Sequence, residues 1–303
     1  MNISPKLSVI IPSFNSLSLL EKCLVALAPQ MPAELIEILA IRDRETVPTD
    51  EYQILQQRFD RVRWIAAYEG ATVPQMRMLG IAQSKGDIIA LIEDDCIVCA
   101  DWCSSVIQAH QATPDGAIGG AVEPGAYTTG LDWGIYFCEY ARFMQPFEGI
   151  VHVLPGNNVS YKRATLNKLL QNYPSNEGFY EVFMHSALQQ AGQSLIADSK
   201  LVVHSCNSWK FTNIFTVPFH HGRGFAGMRF ANQPLKRSLF LGVSLLLPLI
   251  QMSRIIRLVF DRKRYIFELI EAIPAILMFS ISWSLGEFFG YLLGSGKSLE
   301  RWK

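Results

Sequence analysis

The sequence predicts an α/β domain over residues 1–235, Rossmann-like and built on a doubly wound, mostly parallel sheet, followed by a membrane-associating apolar helical appendage over 236–303. Three observations carry this. Short runs of β-branched and apolar residues alternate with helix-length stretches through the first half of the chain. Those runs end in polar or acidic residues, as strands do where an open α/β sheet binds its ligands. From Lys236 onward the pattern changes to long uncharged stretches.

Leu7 to Pro12 reads as a strand buried on both faces, stopped by the turn Pro12-Ser13-Phe14-Asn15 before a helix over Leu17 to Ala28. Leu35 to Arg42 gives a second strand ending at Asp43, Asp50 to Phe59 a helix, and Val62 to Ala67 a third strand. Pro74 to Ser84 reads as a helix with Arg77 near its start. It leads to a strand over Ile88 to Ile92, a helix over Asp101 to Gln111 and a strand over Ala117 to Val122. Asn15, Asp43 and Glu93 to Asp95 all fall at strand ends, which places one polar pocket along one edge of the sheet.

The acidic strand end is the strongest chemical signal. Three adjacent carboxylates repel one another unless a cation or a ring of donors offsets them, and hard divalent ions such as Mg²⁺ or Mn²⁺ prefer oxygen ligands. Glu93, Asp94 and Asp95 therefore read either as a metal site or as a solvated acidic turn before the next helix. No Gly-x-Gly-x-x-Gly follows the first strand and no Walker-type Gly-x-x-x-x-Gly-Lys-Ser/Thr occurs, which argues against a dinucleotide oxidoreductase or a P-loop nucleotidase. Acids that can hold a metal and an arginine that can meet a phosphate, without a glycine cradle, suit a metal-bridged diphosphate.

Composition narrows the field further. Half of the 303 residues are hydrophobic, which excludes disorder, and the net charge of +0 gives no support to a nucleic-acid binder. Met1 to Lys6 lacks the pattern of a secretory signal, so the expectation is a cytosolic sheet domain whose six cysteines are reduced. Cys96, Cys99 and Cys103 are three thiols without a nearby fourth ligand, and they read as free thiols rather than a zinc site.

The order and spacing of Ser8-Val9-Ile10-Ile11-Pro12-Ser13-Phe14-Asn15, Asp43, Arg77 with Gly80, and Gly86-Asp87-Ile88-Ile89 leading to Glu93-Asp94-Asp95 resemble glycosyltransferase family 2, whose members adopt the GT-A fold. The resemblance implies that Pro12, Asn15 and Asp43 hold the nucleotide base and that Arg77 approaches the diphosphate. It maps the family's Asp-x-Asp metal motif onto Glu93-Asp94-Asp95. Asp95 is then the direct ligand of Mg²⁺ or Mn²⁺, Glu93 a longer-armed helper, and Asp94 part of the donor site. Ile41-Arg42-Asp43-Arg44 stands where many relatives carry two acids and a serine.

The second half of the domain adds to this. Gly130 to Gly149 is rich in aromatics and reads either as core packing or as a wall for the sugar or acceptor. Asn157 and Asn158, in Leu154-Pro155-Gly156-Asn157-Asn158, resemble the family's segment lining the donor-sugar and acceptor site, and they are also ordinary turn residues. Counting back from Ala191-Gly192, the family's general base falls on Glu181 at a helix start, with Tyr180 in place of a first acid. His185 reads as a surface or supporting residue. Ser194 to Ala197 and Lys200 to His204 read as two short strands, and the resemblance puts His204 near the metal and diphosphate. It also suggests that Arg223, in His220-His221-Gly222-Arg223-Gly224-Phe225, reaches the diphosphate as this stretch closes over the donor. The Gln-x-x-Arg-Trp signature of processive synthases is absent, which points to single addition.

In the appendage, apolar segments cover about 238–260 and 266–296. Their uncharged cores, Ser238 to Ser253 and Ala272 to Gly286, would span about 22 to 24 Å as helices, short of the roughly 30 Å hydrocarbon thickness. Basic residues flank them at Lys236-Arg237, in the connector Arg254 to Arg264, and in the tail Lys297 to Lys303. Positive segments stay cytosolic, so interfacial or re-entrant helices on the cytoplasmic face are expected, with two tilted spans as the alternative. The sequence thus describes a metal-dependent inverting transferase acting from a UDP- or GDP-linked sugar on a lipid-linked or glycan hydroxyl, with membrane lipids and no nucleic acid as partners. Its rivals are a non-catalytic membrane scaffold, suggested by Tyr180, and a sugar-nucleotide pyrophosphorylase, which would need a Gly-rich basic loop after the first strand.

Overall fold

The computed structural model describes residues 4–30, 35–43, 49–114, 116–171, 173, 178–206, 209–230 and 233–301; Arg44 and Lys303, both used in reading the sequence, lie outside this set. The chain divides into two compact units. The first is Met1–Glu123 with Phe143–Cys206, and the second is Pro124–Arg142 with Asn207–Lys303.

The first unit begins with β1 (Leu7–Ser13), α1 (Leu17–Leu27), β2 (Ile36–Asp43), α2 (Thr49–Arg58), β3 (Arg63–Ala67), α3 (Val73–Gln83) and β4 (Ile88–Ile92). β5 (Cys96–Val98), α4 (Trp102–Ala112) and β6 (Ala117–Pro124) follow. After α5 (Gly130–Tyr140) of the second unit come β7 (Gly149–Val151), β8 (Asn158–Lys162), α6 (Arg163–Leu170), α7 (Glu181–Gln190) and β9 (Leu195–Ser205). Among the described residues the strands form one sheet in the order β3-β2-β1-β4-β8-β6-β9-β5, with β7 also paired to β9. Every residue of β1 and β4 is buried, as expected for central strands covered on both faces. Helix α3 lies close against this sheet because position 80 is glycine: a Cβ there would stand 2.5 Å from Ile10 Cγ2.

Pairing is parallel between β1 and β2, β1 and β4, and β2 and β3, as strict strand–helix alternation requires. Beyond β4 the sheet turns antiparallel: β8 runs against β4 and β6, and β9 against β5 and β7. Leu195–Ser205 forms one strand where two, over Ser194 to Ala197 and Lys200 to His204, are expected. The polar Asp198-Ser199-Lys200 lies between the part of β9 paired with β7 and the part paired with β5, and the backbone stays extended across it.

The second unit contains α5, α8 (Asn213–Arg229), α9 (Pro234–Ser244), α10 (Leu247–Arg262) and α11 (Ile266–Leu293). Two of these, α5 and α8, fall within the 1–235 stretch that the composition assigned to the sheet domain; both pack on the apolar α11 instead. The aromatics of α5 are packing residues. Trp133 and Tyr265 have ring centroids 4.9 Å apart, and Ile135 joins Ile214, Ala275 and Phe279 in one buried cluster. Helices α8 and α11 approach closely through glycines: a Cβ on Gly222 would lie 2.5 Å from the Trp283 carbonyl oxygen, and one on Gly290 would lie 2.6 Å from that of Arg223. Glu287 does not interrupt α11, because its carboxylate is buried and accepts the Trp283 indole N–H at 2.7 Å. Among the described residues α11 is the one helix long and apolar enough to cross a membrane, while α9 and α10 form a pair bent by 71°.

One buried histidine gives the first unit a pH dependence. Ser160 Oγ donates to the Ile118 carbonyl at 3.1 Å, so His110 Nε2, 2.9 Å away, donates to Ser160 and leaves Nδ1 without a proton. Burial, with Lys162 adding to it, pulls the His110 pKa down to about 4. An unfolded histidine takes up its proton near pH 6.5, whereas the folded one does so only near pH 4. Stability is therefore full above the upper value and declines as pH falls between the two, by about 2 kcal/mol at pH 5. Urea midpoints measured at pH 7 and pH 5 are expected to fall less in His110→Gln than in the parent chain; equal falls would remove His110 as the cause.

Candidate active site

The carboxyl ends of β1, β2 and β4 gather the polar residues that the sequence placed there. Asp94 is fully buried and accepts from Ser13 Oγ at 2.9 Å, from the Asn15 amide N–H at 2.9 Å and from Asn15 Nδ2 at 2.8 Å. Arg42 Nη1 donates to Ser13 Oγ at 2.7 Å and to the Asn15 carbonyl at 3.0 Å. Asp94 is thus turned inward, fixing the end of β1, and Arg42 is a further member of this network that the sequence marked only as a departure from its relatives. Pro12 is buried within β1, beside Ile41 in the register with β2. Asp43, at the end of β2, accepts the Gly70 N–H at 2.9 Å.

The centre of the site is Arg77, only 5% exposed. Its Nη1 donates to Glu181 Oε2 at 2.7 Å, and its Nη2 donates to Glu93 Oε1 at 2.7 Å and to the Gly156 carbonyl at 3.2 Å. Burial alone would lower the arginine's pKa, but the Glu181 and Glu93 carboxylates outweigh it and hold the guanidinium above its ordinary value. This clamp joins α3, the end of β4, the loop before β8 and the first residue of α7. Local sequence sets its geometry. Thr72 and Gln75 cap α3 reciprocally, and the Phe179 N–H donates to the Pro74 carbonyl at 2.7 Å, docking the start of α7 on the start of α3. Gly178 makes this possible with φ of +92° and no side chain against Pro74. Gly156 likewise leaves room for Glu181, since a Cβ there would lie 2.7 Å from its Cδ.

Asp95 is 4% exposed and its Oδ1 is met by Cys96 Sγ at 3.4 Å. Burial pushes this carboxyl well up, and the charges of Glu93 and Asp94 add to the effect. Burial also raises the thiols of Cys23 and Cys96, so both stay protonated and are poor ligands. All six cysteines are free thiols, three of them buried: Cys23, Cys96 and Cys103. His204 is exposed on β9, opposite Ile97 in the register with β5. Among the described residues no three His, Cys, Asp or Glu side chains converge on one point. The donor set therefore fits a hard divalent ion that takes one or two carboxylates from the protein and its remaining oxygens from phosphate and water.

The two adjacent asparagines part company. Asn158 accepts the Trp102 indole N–H at 2.9 Å and donates to the Ala121 and Leu201 carbonyls at 2.9 and 3.0 Å. Its amide is consumed by the core, which corrects the expectation that it meets a ligand. Asn157 is just as buried, at 2%, yet neither Oδ1 nor Nδ2 has a hydrogen-bond partner among the described residues. Of the two readings of His185, surface or supporting, the structure shows the second: it is buried and lies 2.9 Å through Nε2 from the Tyr161 hydroxyl, tying α7 to β8. Arg223 lies inside α8 in the second unit, where its Nε donates to the Gly294 carbonyl at 3.2 Å.

The sheet, parallel around β1 and antiparallel beyond β4, is that of the GT-A fold. Residues 8–185, more than half of the chain, match the glycosyl transferase family 2 model, and the chain belongs to that family. It is 29% identical over 121 residues to glycosyltransferase AglE of Haloferax volcanii, covering 39% of this chain and 40% of that one. It is 24% identical over 140 residues to the glucosyl-dolichyl phosphate glucuronosyltransferase of the same organism, covering 43% and 44%. The match thus spans less than half the length of either relative. Among solved structures, the mannosyltransferase PcManGT from Pyrobaculum calidifontis, in complex with GDP-Man and Mn²⁺, superposes with a TM-score of 0.55 at 14% identity over 98% of this chain and 87% of that one. GalNAc-T7 with UDP, GalNAc and Mn²⁺ superposes with a TM-score of 0.53 at 13% identity, over 69% and 45%.

The asparagine pair gives a direct check. Asn158→Ala would leave an indole N–H and two carbonyls buried without partners, and is expected to cost about 3 kcal/mol or more in a thermal or urea melt. Asn157→Ala removes two atoms that already lack partners and should change stability by less than about 1 kcal/mol. The reverse order of the two costs would overturn this division.

Proposed function

We propose that this protein transfers a sugar from a nucleoside-diphosphate donor to a hydroxyl of a membrane-proximal acceptor, with inversion at the anomeric carbon and one addition per encounter. The observation that carries the reading is the Arg77 clamp, which sets Glu181 and the Glu93–Asp95 strand end on two sides of one guanidinium. Glu181 is the base: its Oε2 is held by Arg77, and its Oε1 has no hydrogen-bond partner among the described residues. The acceptor hydroxyl gives its proton to Glu181 as its oxygen bonds to the anomeric carbon. The bond from that carbon to the diphosphate breaks, and the nucleoside diphosphate leaves. A diphosphate competing for the Arg77 guanidinium would loosen its hold on Glu181 at the moment the base is needed.

Asp95 and Glu93, just past the end of β4, would hold Mg²⁺ or Mn²⁺, which when bound would offset the charge of the leaving diphosphate. Pro12, Asn15 and Asp43 line the base end of the donor site, and Asn157 offers an unpaired amide to a sugar or acceptor hydroxyl. The fold-level likeness to proteins carrying UDP or GDP-Man with Mn²⁺ supports a donor of this class. A lipid-linked or glycan acceptor is supported by the dolichyl phosphate in one relative's name and by α11, whose 28 residues would reach about 42 Å as a helix. The basic segments around the helices support a position on the cytoplasmic face.

With a screened nucleotide-sugar and Mn²⁺, Glu181→Gln is expected to lower kcat by about 10² to 10⁴ while leaving thermal stabilisation by the donor in place. Asp95→Asn is expected to abolish the Mn²⁺-dependent part of that stabilisation. Turnover unchanged in both variants would remove the catalytic assignment.

A further inference from the structure

Helix α10 divides its surface into three arcs. Ile255 and Val259 are buried inside the second unit. Leu249, Ile256 and Phe260, spaced by seven and four residues, form an outward apolar stripe in which Leu249 is 70% and Phe260 55% exposed. Arg254 and Arg257, both exposed, occupy the neighbouring arc, where Arg257 also pairs with Asp261 at 3.5 Å, leaving that arc with one net positive charge. At the start of the helix, Leu245 and Leu246 are exposed at the 71° bend from α9. At its end, Arg262 is pinned to the Ala141 and Arg142 carbonyls, at 3.3 and 3.0 Å.

This is not the surface of a spanning helix. Sixteen residues give about 24 Å, and three arginines and Asp261 lie on its length. Water is also a poor solvent for the stripe. We infer that α10 lies along a bilayer surface, with Leu249, Ile256 and Phe260 sunk below the headgroups and Arg254 and Arg257 reading anionic headgroup phosphates. The inference rests on the membrane contact proposed above and goes further, naming the element, its orientation and the lipid charge it selects. Apolar area next to a basic arc is the pattern that binds anionic interfaces, and each arginine near such a surface strengthens binding about fivefold.

The test uses the full chain in vesicles of phosphatidylcholine alone or with one quarter phosphatidylglycerol. A bioorthogonal fluorophore is placed at 249, 256 or 260, and at 281 on α11, and is read by quenchers fixed at known lipid depths. Labels at 249, 256 and 260 are expected at one shallow depth, sinking further with phosphatidylglycerol, and Arg254→Gln with Arg257→Gln is expected to remove that lipid dependence. A depth that rises steadily from 249 to 260, labels in water or shielded by a second copy while 281 sits in lipid, or depths indifferent to phosphatidylglycerol would each overturn the inference and leave the membrane reading standing. A label at 281 that never meets lipid would overturn both.

Discussion

A buried guanidinium must be paired, and the pairing of Arg77 organises the first unit's functional edge. The arginine has water on almost none of its surface, so the cost of burying its charge is met only while Glu181, Glu93 and the Gly156 carbonyl stay where they are. Those three groups come from segments separated by up to a hundred residues of chain. One side chain therefore sets the relative positions of α3, the acidic strand end, the loop before β8 and α7. The surrounding glycines follow from the same requirement. Gly156 and Gly178 sit where any side chain would push Glu181 or the start of α7 away from the clamp.

Three adjacent carboxylates look alike in a sequence but do three different things here. Asp94 faces the interior and takes three hydrogen bonds from Ser13 and Asn15, so it shapes the pocket from behind. Glu93 is neutralised by Arg77. Asp95 alone is left buried beside two like charges, and burial together with those charges drives its carboxyl upward. A carboxylate in that position gains from any cation delivered to it. An incomplete protein donor set is then no defect, because a diphosphate can bring the remaining oxygens.

The parallel half of the sheet was legible because each strand is an uninterrupted apolar run and each crossover a helix of ordinary length. The acidic end of β4, Arg77 and Glu181 were legible as residue types at a spacing, through the family resemblance. What the sequence hid depends on side-chain direction. Asn157 and Asn158 are chemically identical, but Asn158 opens β8 and feeds Trp102, Ala121 and Leu201, while Asn157, in the turn just before, is left unpaired. The sequence left His185 between a surface and a supporting role because nothing local shows that Tyr161, 24 residues earlier, lies beside it. β9 looked like two strands because its polar centre is exposed, yet its two ends have different partners and hold the middle straight.

The second unit misleads for the opposite reason. Hydropathy reports how apolar a helix is and not which of its faces is already satisfied. In α11, Gly286 and Gly290 let α8 press against the backbone, and Ala275 and Phe279 join the α5 cluster, so much of an apolar helix is spent on protein contacts. Ile281, Leu285 and Leu293 stay exposed on the same helix. Charge inside the helix is equally misleading until its partner is seen: Glu287 breaks the apolar run on paper, but the Trp283 indole one turn earlier meets it within the helix. What remains for a bilayer is the surface left after the glycines and aromatics have done their packing. That surface is narrower than the composition suggests, and it is distributed over α9, α10 and α11 rather than concentrated in one helix.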